Sequence, residues 1–152
     1  MPGIIYDPVF HGVGDKGDYT VEKVYLPTHH KYFLTGNIYR PKGEGPFAGV
    51  ICPHGHWEDG RLSERSEEEA REFVESGEER YINAARYHLQ ARCVQLARMG
   101  CVVFMYDMVG YGDSDQISHQ TGLNDVQAML RLQNLFGFQA LNSFMALTVL
   151  YN

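Results

Sequence analysis

The sequence predicts an α/β domain whose main sheet is parallel and is opened by an antiparallel-looking pair of strands. Three observations predict it. Two short, almost wholly apolar runs, residues 47–52 and 101–106, have the composition of strands buried on both faces. Between them lies a stretch with helical periodicity that stops at Gly100. Ahead of both come two β-rich segments with no helix between them. Buried strands that alternate with helices pair in parallel, because a crossover rather than a hairpin joins them.

Taken in order, residues 1–18 are rich in Gly, Asp and Pro and read as an irregular N-terminal arm, with residues 19–152 as the domain. Residues 19–26 alternate in part and read as a strand, residues 27–31 as a turn, and residues 32–40 as a second strand ending at Pro41. Residues 42–46 have turn composition, and the apolar run 47–52 stops at Pro53. Residues 58–80 are densely charged, with more Glu than Arg, and read as a solvated excursion containing helical pieces. A helix is expected over 83–99, where Leu89, Cys93, Leu96 and Ala97 share one face and Gly100 follows as the C′ residue. After the strand at 101–106, residues 124–151 read as one or two helices broken near Gly137, with Leu141, Phe144, Met145 and Thr148 on one face.

Composition narrows the function. The 152 residues suit one domain, and 44% hydrophobic with 21% charged residues is ordinary for a globular chain. A net charge of −6 argues against nucleic acid as a partner, since phosphate binding needs basic surface. No apolar run approaches the roughly 18 residues of a membrane span. The opening residues have no basic region followed by an apolar stretch, so no signal peptide is expected and the cytoplasm is the default location. Cys52, Cys93 and Cys101 sit among apolar residues without a CxxC pair, which predicts buried free thiols and suits a reducing compartment.

Two loops follow the apolar strands, and ligands of open α/β sheets bind at such carboxyl ends. In the first, His54-Gly55-His56-Trp57, exposed backbone N–H groups could stabilise a developing oxyanion. The alternative is a tight turn that the His54 imidazole ties down. In the second, Asp107-x-x-Gly110-x-Gly112-x-Ser114, the glycines permit a tight turn, and Asp107 and Ser114 can satisfy its backbone groups. It is not a phosphate loop, since GxxxxGK[ST] is absent.

In this order and spacing the two loops resemble the N-terminal half of the α/β-hydrolase fold. More narrowly, Cys52-Pro53-His54-Gly55-His56-Trp57, the charged excursion, the stretch from Gln90 through Gly100 and Tyr106-Asp107-Met108-Val109-Gly110-Tyr111 resemble a branch of large bacterial hydrolases related to acetyl xylan esterases. The resemblance covers residues 19–151. It implies hydrolysis of a small-molecule or carbohydrate ester by acyl transfer through a serine, without a cofactor. It further implies that the backbone N–H groups of His56 and Trp57 serve the oxyanion hole, and that Trp57 and Tyr111 line the substrate pocket.

The family places its serine in a G-x-S-x-G elbow after a fifth strand, with the acid and histidine later still. These 152 residues contain no G-x-S-x-G, and the stretch between His119 and Asn134 is short for the branch. The expectation is therefore an incomplete α/β-hydrolase sheet, a fragment of a serine-dependent ester hydrolase that is inactive alone. Its third strand would be left as an open apolar edge prone to self-association.

Other readings have specific residues behind them. Ser114 would need a base such as His119 to act as a nucleophile. His54-x-His56-x-Glu58-Asp59 is similar to the H-x-H-x-D-H zinc motif of metallo-β-lactamase-type hydrolases, though Glu and Asp stand where Asp and His belong. His88 reads as a packed or surface-exposed residue rather than a functional one, and His29-His30 shows no partner. A non-enzymatic interaction module or remnant completes the set.

Overall fold

The structure, a computed structural model, describes residues 7–29 and 32–151. The first part of the expected arm, and His30 and Lys31 of the expected turn, lie outside the described residues. Strands β1 (Val9–Asp15), β2 (Tyr19–His29), β3 (Tyr32–Pro41) and β4 (Ala48–Ile51) come first. A 3₁₀ turn (Gly60–Leu62) and helices α1 (Glu67–Glu75), α2 (Ile82–Arg86) and α3 (His88–Arg98) follow, then β5 (Cys101–Tyr106), α4 (Val126–Leu130) and α5 (Leu135–Tyr151).

The fold is α/β, with one mixed sheet of five strands in the order β1-β2-β3-β5-β4. β1, β2, β3 and β5 pair antiparallel, and β4 pairs with β5 in parallel. The charged excursion and its helices make the crossover between β4 and β5. The last strand is therefore inserted between β3 and β4.

β5 is the axis of the core, because alternate side chains point to opposite faces of a strand. Phe104 and Tyr106 join Val24, Leu26, Leu34 and Ile38 on one face, under Ala146 and Val149 of α5. Val103 and Met105 join Tyr39 on the other, under Leu89, Cys93 and Ala97 of α3. Fully burying a side chain of this size stabilises by roughly 1.5–3 kcal/mol. The expected α3 face is thus correct, and so is the double-sided burial of β5.

Several expectations need correction. The arm is not wholly irregular: Val9–Asp15 is a strand on β2, with a bulge between His11 and Val13 that Gly12 (φ 64°) accommodates. β2 does not stop at residue 26 but runs through Pro27, which sits beside an irregularity in the ladder to β3. β4 is not buried on both faces, since Ala48 and Gly49 are exposed and Val50 and Ile51 half-buried. Among the described residues it is the last strand of the sheet and has a neighbour on one side only.

The helix expected over 83–99 is two helices with a break at Tyr87 (φ −102°, ψ 51°). The C-terminal break falls between α4 and α5, at residues 131–134, and Gly137 lies inside α5. The buried stripe of α5 is Phe138, Asn142, Ala146 and Val149, whereas Phe144 is 64% exposed.

Candidate active site

The carboxyl ends of β4 and β5 lie side by side, held by the Cys52 N–H donating to the Phe104 carbonyl at 2.8 Å. Two chain segments leave there, 52–62 from β4 and 107–119 from β5, and what binds them together is Asp107.

Asp107 is fully buried. Its carboxylate accepts from the Thr35 hydroxyl at 3.0 Å, the Asp113 N–H at 3.0 Å and the Arg61 N–H at 3.2 Å. It also accepts from the Arg61 guanidinium, whose other nitrogens reach Asn37 Oδ1 at 2.7 Å and Asp113 Oδ2 at 2.6 Å. A buried carboxylate needs this many donors, because leaving water costs it several kcal/mol. Gly112 (φ 54°) passes so close that a Cβ there would overlap the carboxylate. Gly110 (φ 84°) lies so close to His119 that a Cβ would overlap that backbone. These glycines fold the 107–119 loop back on itself and bring His119 to Tyr111.

Ser114 is also fully buried. Its Oγ donates to the Phe33 carbonyl at 3.2 Å, accepts the Thr35 N–H at 3.1 Å and lies 2.8 Å from Thr35 Oγ1. It ties the loop to β3. Its hydroxyl is spent on structure, and His119 Nδ1 donates instead to the Val109 carbonyl at 2.8 Å. The geometry does not assemble the Ser114–His119 nucleophile.

His54 is buried between the two segments. A carbonyl can only accept, so Nδ1, 2.6 Å from the Gly55 carbonyl, carries the proton. Nε2 is then free to accept the Met108 N–H at 3.0 Å. Burial lowers the His54 pKa, which keeps this neutral tautomer. Nδ1 is used within its own turn and Nε2 on the 107–119 segment, so His54 is not placed as a metal ligand alongside His56. Among the described residues, no group of three or more His, Cys, Asp and Glu side chains is placed to hold a metal.

With His54 fixed, the turn projects His56 outward. His56, Tyr111 and His119 form a cluster of three rings, with His119 4.8 Å from His56 and 4.5 Å from Tyr111, and His56 and Tyr111 6.2 Å apart. Together with Glu58, Gly110, Ser118 and Gln120 they line a cleft of about 510 Å³. The expected pocket residue Tyr111 is therefore in a cleft at the strand ends.

The two backbone donors differ. The Trp57 N–H donates to the Gly55 carbonyl at 3.1 Å and is committed. The His56 N–H has no acceptor among the described residues. The Trp57 ring folds over Gly55 and meets the edge of His88 at 5.5 Å, and it is not among the residues lining the cleft. His88 packs there as expected, and burial lowers its pKa.

Arg61 was not legible as a site residue, and His119 was legible only as a base for Ser114 and not as a neighbour of His56 and Tyr111. Arg61 is one of many charges in the excursion, and only its position over Asp107 distinguishes it. The signal for His119 was Gly110, whose missing side chain makes room for the returning loop.

No protein-family model matches the chain, and a search of curated proteins found no match. Solved structures do resemble it. Methylesterase BT1017 is 25% identical with a TM-score of 0.52, over 85% of this chain and 26% of that one. A Bacteroides fragilis protein provisionally described as an acetyl xylan esterase is 13% identical with a TM-score of 0.58, over 94% of this chain and 36% of that one. The chain thus has an esterase-like fold and spans about a quarter to a third of the length of these neighbours.

Proposed function

We propose that these residues supply the oxyanion-binding side of a serine-dependent carboxylic ester hydrolase site of the acetyl xylan esterase kind. The observation that carries this reading is the His56 N–H, which has no acceptor among the described residues, on a turn that His54 ties to the Gly55 carbonyl and the Met108 N–H, beside a cleft at the strand ends. A fixed, unpaired N–H is what a developing oxyanion needs, because it requires no reorganisation as charge builds up. The esterase neighbours support the reaction class.

In this mechanism a serine attacks the ester carbonyl, and the carbonyl oxygen becomes an oxyanion. The His56 N–H donates to that oxyanion, Tyr111 bounds the acyl or alcohol portion of the ester, and the His54–Met108 bond keeps the turn from drifting. The second donor is not Trp57, whose N–H is already bonded. It would be the residue after the nucleophile. In this reading the serine, its base and its acid come from outside these 152 residues, which contain no G-x-S-x-G.

The test compares two proteins. The 152-residue chain is expected neither to hydrolyse an aryl acetate nor to label with a fluorophosphonate. A polypeptide continued beyond residue 152 through a G-x-S-x-G segment is expected to do both, and His56→Pro, which deletes the N–H, should cut its kcat by about 10²–10³. Stoichiometric labelling of the short chain that Ser114→Ala abolishes would overturn the proposal.

A further inference from the structure

Three ring side chains form a row across the end of the sheet farthest from β4. Strand register sets it: His11 of β1 is opposite Lys23 of β2, and Tyr25 is opposite Thr35 of β3. Opposed residues, and residues two apart along a strand, point to the same face. His11, Lys23, Tyr25, Phe33 and Thr35 therefore share one face. His11 and Phe33 are each diagonal to Tyr25, with centroids 5.8 Å and 5.9 Å from its ring, and the Phe33 ring stands at 80° to it.

β5 pairs with β3 only at residues 36–39, so Phe33 and Thr35 extend past it. The loop after β5 closes that side. Arg61, Asp113 and Gln116 form the wall of a groove of about 540 Å³ whose floor is the ring row. None of the residues lining the groove lines the His56 cleft. The floor is fixed in place, because the Ser114 hydroxyl donates to the Phe33 carbonyl at 3.2 Å and the Thr35 hydroxyl to Asp107 at 3.0 Å. A cavity held in shape beforehand loses little to ordering when a ligand enters.

The charges of the groove are unequal in a useful way. The Arg61 guanidinium is fully engaged by Asp107, Asn37 and Asp113, and it neutralises the Asp113 carboxylate that lines the wall. Lys23 is exposed, and its ammonium has no acidic partner among the described residues. The Gln116 amide is also without a partner there. The one unmatched charge beside the rings is positive.

We infer that this groove binds an aryl carboxylate. Its ring joins the row of Tyr25 and Phe33, since aromatic rings pair best offset or edge-to-face at centroid distances of about 4.5–7 Å. Its carboxylate accepts from the Lys23 ammonium, and the Gln116 amide serves a further polar group. A volume within the roughly 300–1,000 Å³ of small-molecule sites suits an acid of one or two rings. A neutral sugar would leave Lys23 unmatched, and an organic cation would meet its like charge.

Titration of the wild-type chain with 2-naphthoate, and with the uncharged 2-naphthamide of the same shape, tests this through backbone amide shifts. Both probes should saturate one site, with shifts at residues 23–25, 33–36 and 113–116. The carboxylate should lead by about threefold at low salt, and the lead should vanish in 1 M sodium chloride. Lys23→Gln should bring the carboxylate down to the amide and leave the amide unchanged. Phe33→Ala should weaken both by about tenfold. Lys23 is exposed, so its variant decides the matter even if Phe33→Ala does not fold. Equal binding of the two probes by wild type, or a lead that survives Lys23→Gln, would overturn the inference. So would shifts confined to the His56 cleft or to α5, groove shifts with glucose but with neither probe, or no saturation at millimolar concentration.

Discussion

Arg61 takes its charge into a nearly dry site, with its side chain 9% exposed against a wholly buried Asp107. Pairing offsets the desolvation of both ions, so removing one of them is costly. Arg61→Ala is expected to destabilise by about 3–5 kcal/mol, since it strands a buried carboxylate. Arg40→Ala breaks a pair whose arginine is 43% exposed and should cost under about 1 kcal/mol. Urea midpoints of the two variants check this, and equal shifts would mean that Arg61 is not the anchor described.

His54 gives the same site a pH dependence. The unfolded chain binds this proton near the ordinary 6.5, and the folded chain binds it only at lower pH. Between those values the unfolded state holds more protons. Stability is therefore full above about 6.5 and falls as the pH drops below it. His88 acts in the same direction. The lowered carboxyls of Asp15 and Asp18 take effect only below their ordinary 3.8, outside this window. The melting temperature should hold from pH 8 to 7 and fall from pH 6.5 to 5, with a shallower fall in His54→Asn. An unchanged melting temperature between pH 7 and 5 would remove His54 from its buried, neutral role.

At the level of elements, what could be read from the sequence depended on how local the cause was. β5 and the Leu89–Cys93–Ala97 face of α3 were legible because period and apolarity both belong to the segment itself. β4 has nearly the same composition as β5, yet it is half open, because burial depends on neighbours that composition does not name. The buried stripe of α5 was misread for a different reason. That helix has no charged residue and its apolar residues fall on every side, so no periodicity marks its inner face, and the inner face contains a polar residue, Asn142, which accepts from the Thr28 hydroxyl at 2.6 Å. The two loops were legible as turns from their glycines. That Trp57 loses its N–H to Gly55 while His56 keeps its own is a matter of backbone angles, and residue types do not encode it.

For the whole molecule, two apolar surfaces lack a partner among the described residues, and they adjoin. β4 ends the sheet with its outer edge unpaired, and Leu150 of α5 lies over its Gly49. α5 has no charged residue and presents Phe136, Phe144 and Tyr151 at 81%, 64% and 89% exposure. A helix that is apolar all round is ordinarily enclosed, and an unpaired strand edge is a template for another strand. The chain should therefore associate with itself in a concentration-dependent way at tens of micromolar, through the β4 edge. A lysine on an edge strand blocks such pairing by setting its charge where the second strand must lie. Ala48 is exposed and paired only toward β5, so Ala48→Lys should return the chain to monomer without unfolding it. Light scattering with circular dichroism would decide the matter. A monodisperse wild-type monomer would exclude self-association, and association that survives Ala48→Lys but not Phe144→Glu would move the contact from the sheet edge to the outer face of α5.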